Sequence, residues 1–467
     1  MKKALALLLT GAMVFSLAAC GGNSTATTEA PAEAPATEEA APAEDTAEAP
    51  AEEAAEPTGP VTLNVTTTFA GEETNTANYQ DAIAAWQEET GNTINDASGT
   101  AVETFKARVI SDFEMGSEPD VLFYFNGVDS NPFVEAGKVV SIDDIRAVYP
   151  DYATNMKDGM MGASPVDGKN YSVPMYGYWE GLFVNKKVCE EAGVEVPTAD
   201  TTWDEFMTTC QTIKDAGLTP IAASFAEVPH YWFEYCIYNF LDPATHCMLP
   251  QAIDDEHGKA WVGGISDMKT LFEKGFLPEN TLSATDGETF QLFVDNKAAF
   301  LIDGSWKVGG IEEATDSIDD FTVTYVPGKN NRKTTDIIGG LSSGWYITKK
   351  AWDDPEKQKA CVDLITYMTS DEMVTKFASV AATALKNGSQ VDRSTLTSLA
   401  VSGLDMVAGA TGIAGAVQDL VTQEQRVPVF NGMPDIVTGK VEVADAVQQL
   451  LDLVAEGAAA PAEEAAE

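Results

Sequence analysis

The segment GSEPDVLFYF, residues 116–125, decides the fold because it joins a predicted helix to a predicted buried strand. Before it, Phe105, Val109 and Phe113 recur at helical spacing within residues 102–115, which predicts one apolar helix face. Gly116 ends this pattern, and the apolar run at 121–125 is typical of a strand covered on both faces. With a strand pattern at 61–66 and a helical pattern at 79–89, the sequence predicts an α/β fold with parallel strands and crossover helices.

The same type of pattern continues to the end of the folded region. Thr202 followed by Glu205 predicts a capped helix start before a helical segment, and residues 353–356 predict another helix that reaches Thr369. A last helix is predicted at 441–453. The region 61–455 is too long for one ordinary hydrophobic core, so we expect two lobes.

Both ends of the chain have the composition of processing and tether segments. Residues 1–20 combine Lys2 and Lys3 with a short apolar run and the tetrapeptide LAAC, which predicts a lipoprotein signal peptide with lipidation at Cys20. Residues 21–60 are rich in Ala, Pro and Glu, and positions 23–60 hold ten acidic residues and no Lys or Arg. Such a segment has little to bury, so we expect a disordered acidic tether, and a disordered tail at 456–467.

Charge and cysteine content narrow the functional class. The formal net charge of −45 repels nucleic acid and anionic lipid and disfavours phosphate ligands. Five cysteines besides Cys20 form no C-x-x-C pair, and the sequence leaves open whether Cys236 pairs with Cys247. We expect most of them to be buried as small apolar residues.

Several motifs, in order, resemble the extracellular solute-binding protein family of ABC importers, in its carbohydrate-binding, maltose-binding-protein-like branch. They are GSEPDV at 116–121, AGKVVSIDD at 136–144, DGKNYSVP at 167–174, TWDEF at 202–206, GLTPI at 217–221, FVDNKAAF at 293–300 and GSW at 304–306. The resemblance spans roughly residues 61–455. It implies a two-lobed periplasmic-binding-protein-like fold with an interlobe cleft and three hinge crossings, near 176–181, 337–341 and 382–386.

The resemblance also implies domain boundaries and a function. The first lobe would comprise 61–178 plus 340–383, and the second 179–339 plus 384–455. The protein would be a monomeric lipoprotein on the extracytoplasmic face of the bacterial cell membrane. It would capture a sugar or oligosaccharide in the cleft and deliver it to the ABC permease subunits, without a cofactor or metal.

The candidate ligand-binding residues are mostly aromatic, because sugars present apolar C–H faces and a rim of hydroxyls. The topology of parallel strands suggests the loop after residue 125, with Asn126 and Asp129. The resemblance adds Trp306 in the GSW block, Tyr178 with its neighbour Trp179, and an acidic and aromatic cluster. The full predicted set is Tyr124, Asn126, Asp129, Tyr178, Trp179, Glu227, Tyr231, Trp232, Trp306 and Trp345.

Three other functions are weighed against this one. The GLSSG motif at 340–344 matches a hydrolase nucleophile elbow, but such enzymes place the histidine after the serine, and His230, His246 and His257 all precede it. His246, Cys247 and His257 lack the spacing of a metal site. The same fold could bind a cationic solute such as a polyamine, using Glu72, Glu73, Asp129, Glu180 and Glu227. A surface adhesin would use the tether for display and lack a closing cleft.

Overall fold

The computed structural model describes residues 59–101, 103–157, 167–227, 230–388 and 391–459. The predicted signal peptide with Cys20, and nearly all of the predicted tether, lie outside the described residues. The last helix continues to Ala459, so residues 456–459 are helical where a disordered tail was expected, and the rest of the predicted tail lies outside the described residues.

The described residues form ten strands and seventeen α-helices. The strands are β1 (Thr62–Thr66), β2 (Thr93–Asp96), β3 (Val121–Phe125), β4 (Tyr178–Asn185), β5 (Thr219–Ile221), β6 (Ala298–Gly304), β7 (Phe321–Thr324), β8 (Asp336–Gly340), β9 (Ser343–Ile347) and β10 (Gly412–Ala414). The helices are α1 (Thr76–Thr90), α2 (Glu103–Glu114), α3 (Asn131–Glu135), α4 (Ile142–Val148), α5 (Lys186–Ala192), α6 (Trp203–Asp215), α7 (His230–Tyr238), α8 (Glu256–Glu273), α9 (Asp286–Val294), α10 (Val308–Ala314), α11 (Lys349–Trp352), α12 (Gln358–Met368), α13 (Asp371–Phe377), α14 (Ser398–Gly409), α15 (Gln423–Arg426), α16 (Met433–Val437) and α17 (Val443–Ala459).

The first lobe is built on a four-stranded sheet with the order β2-β1-β3-β9. As predicted, β1 pairs in parallel with both β2 and β3, and four of the five β3 residues are buried. The fourth strand, β9, comes from more than two hundred residues later and runs antiparallel to β3, with Phe123 opposite Trp345. The apolar core of this lobe lies between the sheet and the helices α1, α12 and α13, and Trp86, Ile365 and Phe377 are fully or almost fully buried in it.

The second lobe is built on a mixed sheet with the order β10-β8-β4-β6-β5, with β7 also paired to β4. The prediction of parallel sheets holds here only for β5 with β6 and β10 with β8, because β4 runs antiparallel to β6, β7 and β8. Thr202 and Glu205 form the predicted capping box at the start of α6. The helix predicted from residue 353 begins instead at Gln358, after a turn.

The segments that join the two lobes lie side by side. The backbone N–H of Gly177 donates to the carbonyl of Ala382, and Tyr176 bridges to Thr383. A side chain at Gly177 would place its Cβ 2.5 Å from the carbonyl oxygen of Gly340. All three predicted crossings therefore meet at one place. The first crossing needs glycine at position 177, because the backbone of the second crossing approaches it too closely for a side chain.

Two further features concern the whole described region. All five thiols there are free, and four of them are buried, so Cys236 and Cys247 are not paired. None of the helices in the described ranges is long and apolar enough to cross a bilayer.

Candidate functional site

A cavity of about 420 Å³ lies between the two lobes. The first lobe contributes the loop at 72–75, Lys106, Phe123 and Phe125. The second contributes the start of β4, the end of β6 with the turn after it, and residues around 418–431. The volume lies within the range of small-molecule sites, about 300–1,000 Å³.

Three aromatic rings form one wall of this cavity. Tyr178 begins β4, Tyr231 lies in the first turn of α7, and Trp306 lies in the short 3-10 helix after β6. The Trp306 ring centroid is 5.9 Å from that of Tyr178 and 5.3 Å from that of Tyr231. All three are half-buried, so each keeps part of its surface open to the cavity. We name them the aromatic wall.

A glycine fixes the position of the Trp306 ring. Gly304 precedes it by two residues, and a Cβ built there would lie 2.2 Å from the Cη2 atom of the indole. The backbone at Gly304 is extended, with φ −111°, so any residue could adopt this conformation. The close contact with the ring is therefore the reason that position 304 needs glycine.

The cavity wall contains four of the ten predicted ligand-binding residues, namely Tyr178, Trp306, Tyr231 and Glu227. Glu227 is exposed at the rim, and its carboxylate accepts a hydrogen bond from the backbone N–H of Asp286.

Three predicted tryptophans belong to the cores and do not line the cavity. Trp179 is 2 % exposed, and its indole N–H donates to the carbonyl of Val380. It follows Tyr178 on β4, so the alternation of a strand directs it to the opposite face. Trp232 packs in the second-lobe core, and Trp345 in the first-lobe core. The prediction that these side chains face the cleft is corrected accordingly.

The other three predicted residues are held behind the cavity. Tyr124 is buried in an aromatic cluster with Phe105 and Phe133. The side-chain carbonyl of Asn126 accepts hydrogen bonds from the hydroxyls of Ser172 and Tyr346. Asp129 is in a buried ion pair described below. Their predicted contact with a ligand is corrected, because none of them is among the lining residues.

Carboxylates make up much of the remaining lining, and burial perturbs several of them. Burial raises the pKa of Glu73 to about 8, that of Asp303 to about 7 and that of Asp419 to about 6. Burial, followed by the charges of Glu234, Asp419 and Asp303, raises the pKa of Glu180 well above its usual range.

These shifts predict how the stability of the ligand-free protein depends on pH. The pKa values of the carboxyls of Glu73, Asp303 and Asp419 are higher in the folded protein than their ordinary values of 3.8 to 4.5. Between about pH 4 and pH 8 the folded state therefore holds more protons than the unfolded chain, and the free energy of unfolding falls as pH rises. We expect a lower melting temperature at pH 8 than at pH 5 by calorimetry. Asp303→Asn should flatten this dependence mainly between pH 5 and pH 7, because the folded and unfolded states differ in the protonation of Asp303 between its ordinary pKa of 3.8 and its raised pKa of about 7. An unchanged slope in that range would contradict the assignment.

The lobes touch on one side of the cavity through the loop at 72–74. The Thr74 hydroxyl donates to the carbonyl oxygens of Ser305 and Trp306, and its backbone N–H also donates to the Trp306 carbonyl, at 2.8 Å. The Lys307 ammonium lies 2.9 Å from Glu72. We name this the Thr74 contact.

A second interlobe contact is a buried ionic cluster. Asp129 of the first lobe lies 2.9 Å from the ammonium of Lys106 and 3.5 Å from the guanidinium of Arg426, which comes from the second lobe. All three residues are at most 5 % exposed. We name this the Asp129 cluster. Together with the Thr74 contact it joins the two lobes beside the cavity.

The sequence reasoning missed Lys106, Lys307, Asp303 and Asp419 as lining residues. Asp303 could have been found, because it is the only charged residue in the otherwise apolar strand AAFLIDG. A charged residue in such a strand is rarely explained by packing, which indicates a functional role. Asp419 lies in the short 3-10 helix Val417–Leu420 between β10 and α15, and no pattern in the sequence marks it.

The residues considered for a hydrolase or a metal site do not come together at the cavity in the described part of the chain. Ser342 and Ser343 of the GLSSG motif do line the cavity, but the lining contains no histidine in the described part of the chain. His246 contacts Glu234 in the core, and His257 contacts the carbonyl of Thr245. No group of three or more His, Cys, Asp and Glu that could hold a metal ion occurs in the described ranges.

The solved structures that resemble this chain share its fold. A chitin oligosaccharide binding protein superposes with a TM-score of 0.73 at 20% identity, covering 86% of this chain and 100% of that one. The solute-binding protein RafE in complex with raffinose gives 0.66 at 18% identity, covering 84% and 98%. At these identities the similarity demonstrates the two-lobed α/β fold alone.

Sequence comparisons identify the family. A multiple sugar-binding protein of Streptococcus mutans serotype c is 23% identical over 292 residues, which are 61% of this chain and 64% of the relative, so the match spans less than two thirds of that protein. The family model of the bacterial extracellular solute-binding proteins matches residues 70–375. The chain therefore belongs to the bacterial extracellular solute-binding protein family, whose members are binding proteins that act outside the cytoplasm.

Proposed function

We propose that this protein is the carbohydrate receptor of an ABC importer. The observation that carries the proposal is the aromatic wall of Tyr178, Tyr231 and Trp306 inside an interlobe cavity. Aromatic faces bury the apolar C–H faces of a sugar ring, and the polar groups around them bind its hydroxyls. The Streptococcus mutans relative, named for sugar binding, supports the same ligand class.

The contacts between the lobes support a capture mechanism. We propose that the lobes comprise 61–178 plus 340–383 and 179–339 plus 384–455, and that they rotate about the adjacent segments at Gly177, Gly340 and Ala382. Closure surrounds the ligand, excludes water and forms the Thr74 contact and the Asp129 cluster. The permease subunits would recognise the closed, loaded form.

The location on the membrane belongs to the same proposal. Lipidation at Cys20 would anchor the chain, and the tether at 21–60 would hold the lobes away from the bilayer surface. We propose a monomer, since the cavity is complete within one chain.

A ligand screen tests the proposed function. We expect a monosaccharide or oligosaccharide to raise the melting temperature of the purified protein by a few degrees at saturation, because a ligand that binds only the folded state stabilises it. Titration calorimetry then gives the affinity. If a broad sugar library has no effect while spermidine raises the melting temperature, the polyamine alternative replaces ours. If no small ligand binds, the adhesin alternative gains support.

A further inference from the structure

Glu180 is a buried acid in the cavity wall that lacks hydrogen-bond partners. Its side chain is fully buried, and neither carboxylate oxygen has a partner among the described residues. Its backbone carbonyl accepts a hydrogen bond from the Tyr235 hydroxyl, which fixes the main chain and leaves the carboxyl group unpaired. Buried polar groups in proteins are nearly always hydrogen-bonded, because an unpaired one is costly. A ligand is therefore the natural source of the missing partner.

The charged groups that raise the pKa of Glu180 are themselves acidic. They are Glu234 on α7, Asp303 on β6 and Asp419 in the short 3-10 helix before α15. Asp303 lies 4.0 Å from the Lys307 ammonium, but that ammonium also contacts Glu72 at 2.9 Å and Asp286 at 3.3 Å. On this side of the cavity, the carboxylates thus outnumber the ammonium groups that face them.

The aromatic wall borders the same acids. Glu180 lies two residues after Tyr178 on β4 and pairs across the sheet with Gly304, over which the Trp306 ring is folded. Aromatic faces attract cations, and a protonated amine carries three hydrogen-bond donors for carboxylate oxygens. Neutral sugar hydroxyls would supply donors but no positive charge to stabilise the ionised form of these acids.

We propose that the carbohydrate captured in this cavity carries a protonated amine, held by Glu180 and Asp303 beside the aromatic wall. This inference rests on the proposed function and narrows its ligand class to amino sugars. Glu180 and Asp303 thereby determine specificity for the amine over the hydroxyl at the same ring position.

The inference predicts a proton signature. Burial raises the pKa of Glu180 well above its usual range and that of Asp303 to about 7, and a bound cation lowers both pKa values, so binding of the amine releases protons. The titratable and charged groups around Glu180 and Asp303 are Tyr178, Tyr231, Glu234, Tyr235, Asp286, Lys307 and Asp419. Affinity for an amino sugar should rise between pH 5 and pH 7, whereas affinity for a neutral sugar should not.

A matched set of ligands tests the inference by titration calorimetry at pH 7. The probes are glucose and cellobiose, their counterparts glucosamine and its β-1,4-linked dimer, and spermidine. We expect at least one amino probe to bind tenfold or more tighter than its hydroxyl counterpart, with proton release. Glu180→Gln should reduce this preference to less than threefold. Glu118→Gln is the matched control, since Glu118 is a buried glutamate with an unpaired oxygen outside the cavity, and it should keep the preference.

The outcomes separate this inference from the proposed function. Equal or tighter binding of the hydroxyl probes, or no binding of either amino sugar, overturns the inference and leaves sugar capture standing where neutral sugars bind. A preference that survives in Glu180→Gln overturns the role of Glu180. Binding of spermidine without any sugar overturns both.

Discussion

Replacement of Trp306 by alanine is expected to weaken carbohydrate binding at least tenfold without unfolding the protein. The indole supplies the central ring of the aromatic wall, in contact with both tyrosines. A tenfold loss of affinity corresponds to about 1.4 kcal/mol. The free energy lost with the buried apolar area of the indole, added to the stacking contribution of about 0.5–1.5 kcal/mol, exceeds this value. The Thr74 contact should persist, because it uses the backbone carbonyl at 306. Titration calorimetry measures the loss.

Two further variants distinguish stacking from general destabilisation. Gly304→Ala keeps the indole but forces it out of position, so it should reduce affinity by a similar factor. Trp352→Ala removes a half-buried tryptophan on α11, which packs against Tyr149 away from the cavity, and it should leave affinity unchanged. Sugar binding that is unaffected by both Trp306→Ala and Gly304→Ala would contradict the role of the aromatic wall.

Asp129→Asn is expected to have the largest effect on stability. The substitution removes the carboxylate that lies between Lys106 and Arg426, and it leaves two buried cations without that charge. Removing one partner from a buried ion pair costs about 3–5 kcal/mol. Urea unfolding should reveal a loss of this size. Because Arg426 belongs to the other lobe, small-angle scattering should also detect a larger radius of gyration in the variant without ligand.

An exposed ion pair provides the control for this prediction. Asp435 and Lys440 lie 2.7 Å apart with more than half of each side chain exposed. Asp435→Asn should cost less than about 1 kcal/mol, since water already solvates both charges. If Asp129→Asn cost no more than Asp435→Asn, the Asp129 cluster would not be holding the lobes together.

Local patterns predicted the elements better than their pairing. The buried run at 121–125 and the cap at Thr202 follow from short-range rules, and both are confirmed. No periodicity indicates that residues 343–347 return to pair antiparallel with β3, because that pairing is decided by packing across more than two hundred residues. The mixed sheet of the second lobe was missed for the same reason.

The site was predicted in part, because residue type alone does not say which way a side chain points. On β4, strand alternation separates Tyr178 and Glu180, which line the cavity, from Trp179, which is in the core. Tyr231 and Trp232 are similarly divided, since neighbouring residues on a helix point in different directions. Tryptophan is a large apolar residue, so its presence near a matched motif favours burial as often as ligand contact.

The two interlobe contacts have a consequence for the rate at which a captured molecule leaves. The Thr74 contact and the Asp129 cluster both join the two lobes. In both, the side chains of Thr74 and Asp129 bind groups of the protein itself. A guest enclosed by both lobes can escape only after these contacts separate. Asp129 and Arg426 do not line the cavity, so changes at these two residues would alter the dissociation rate with little change in which molecule is preferred.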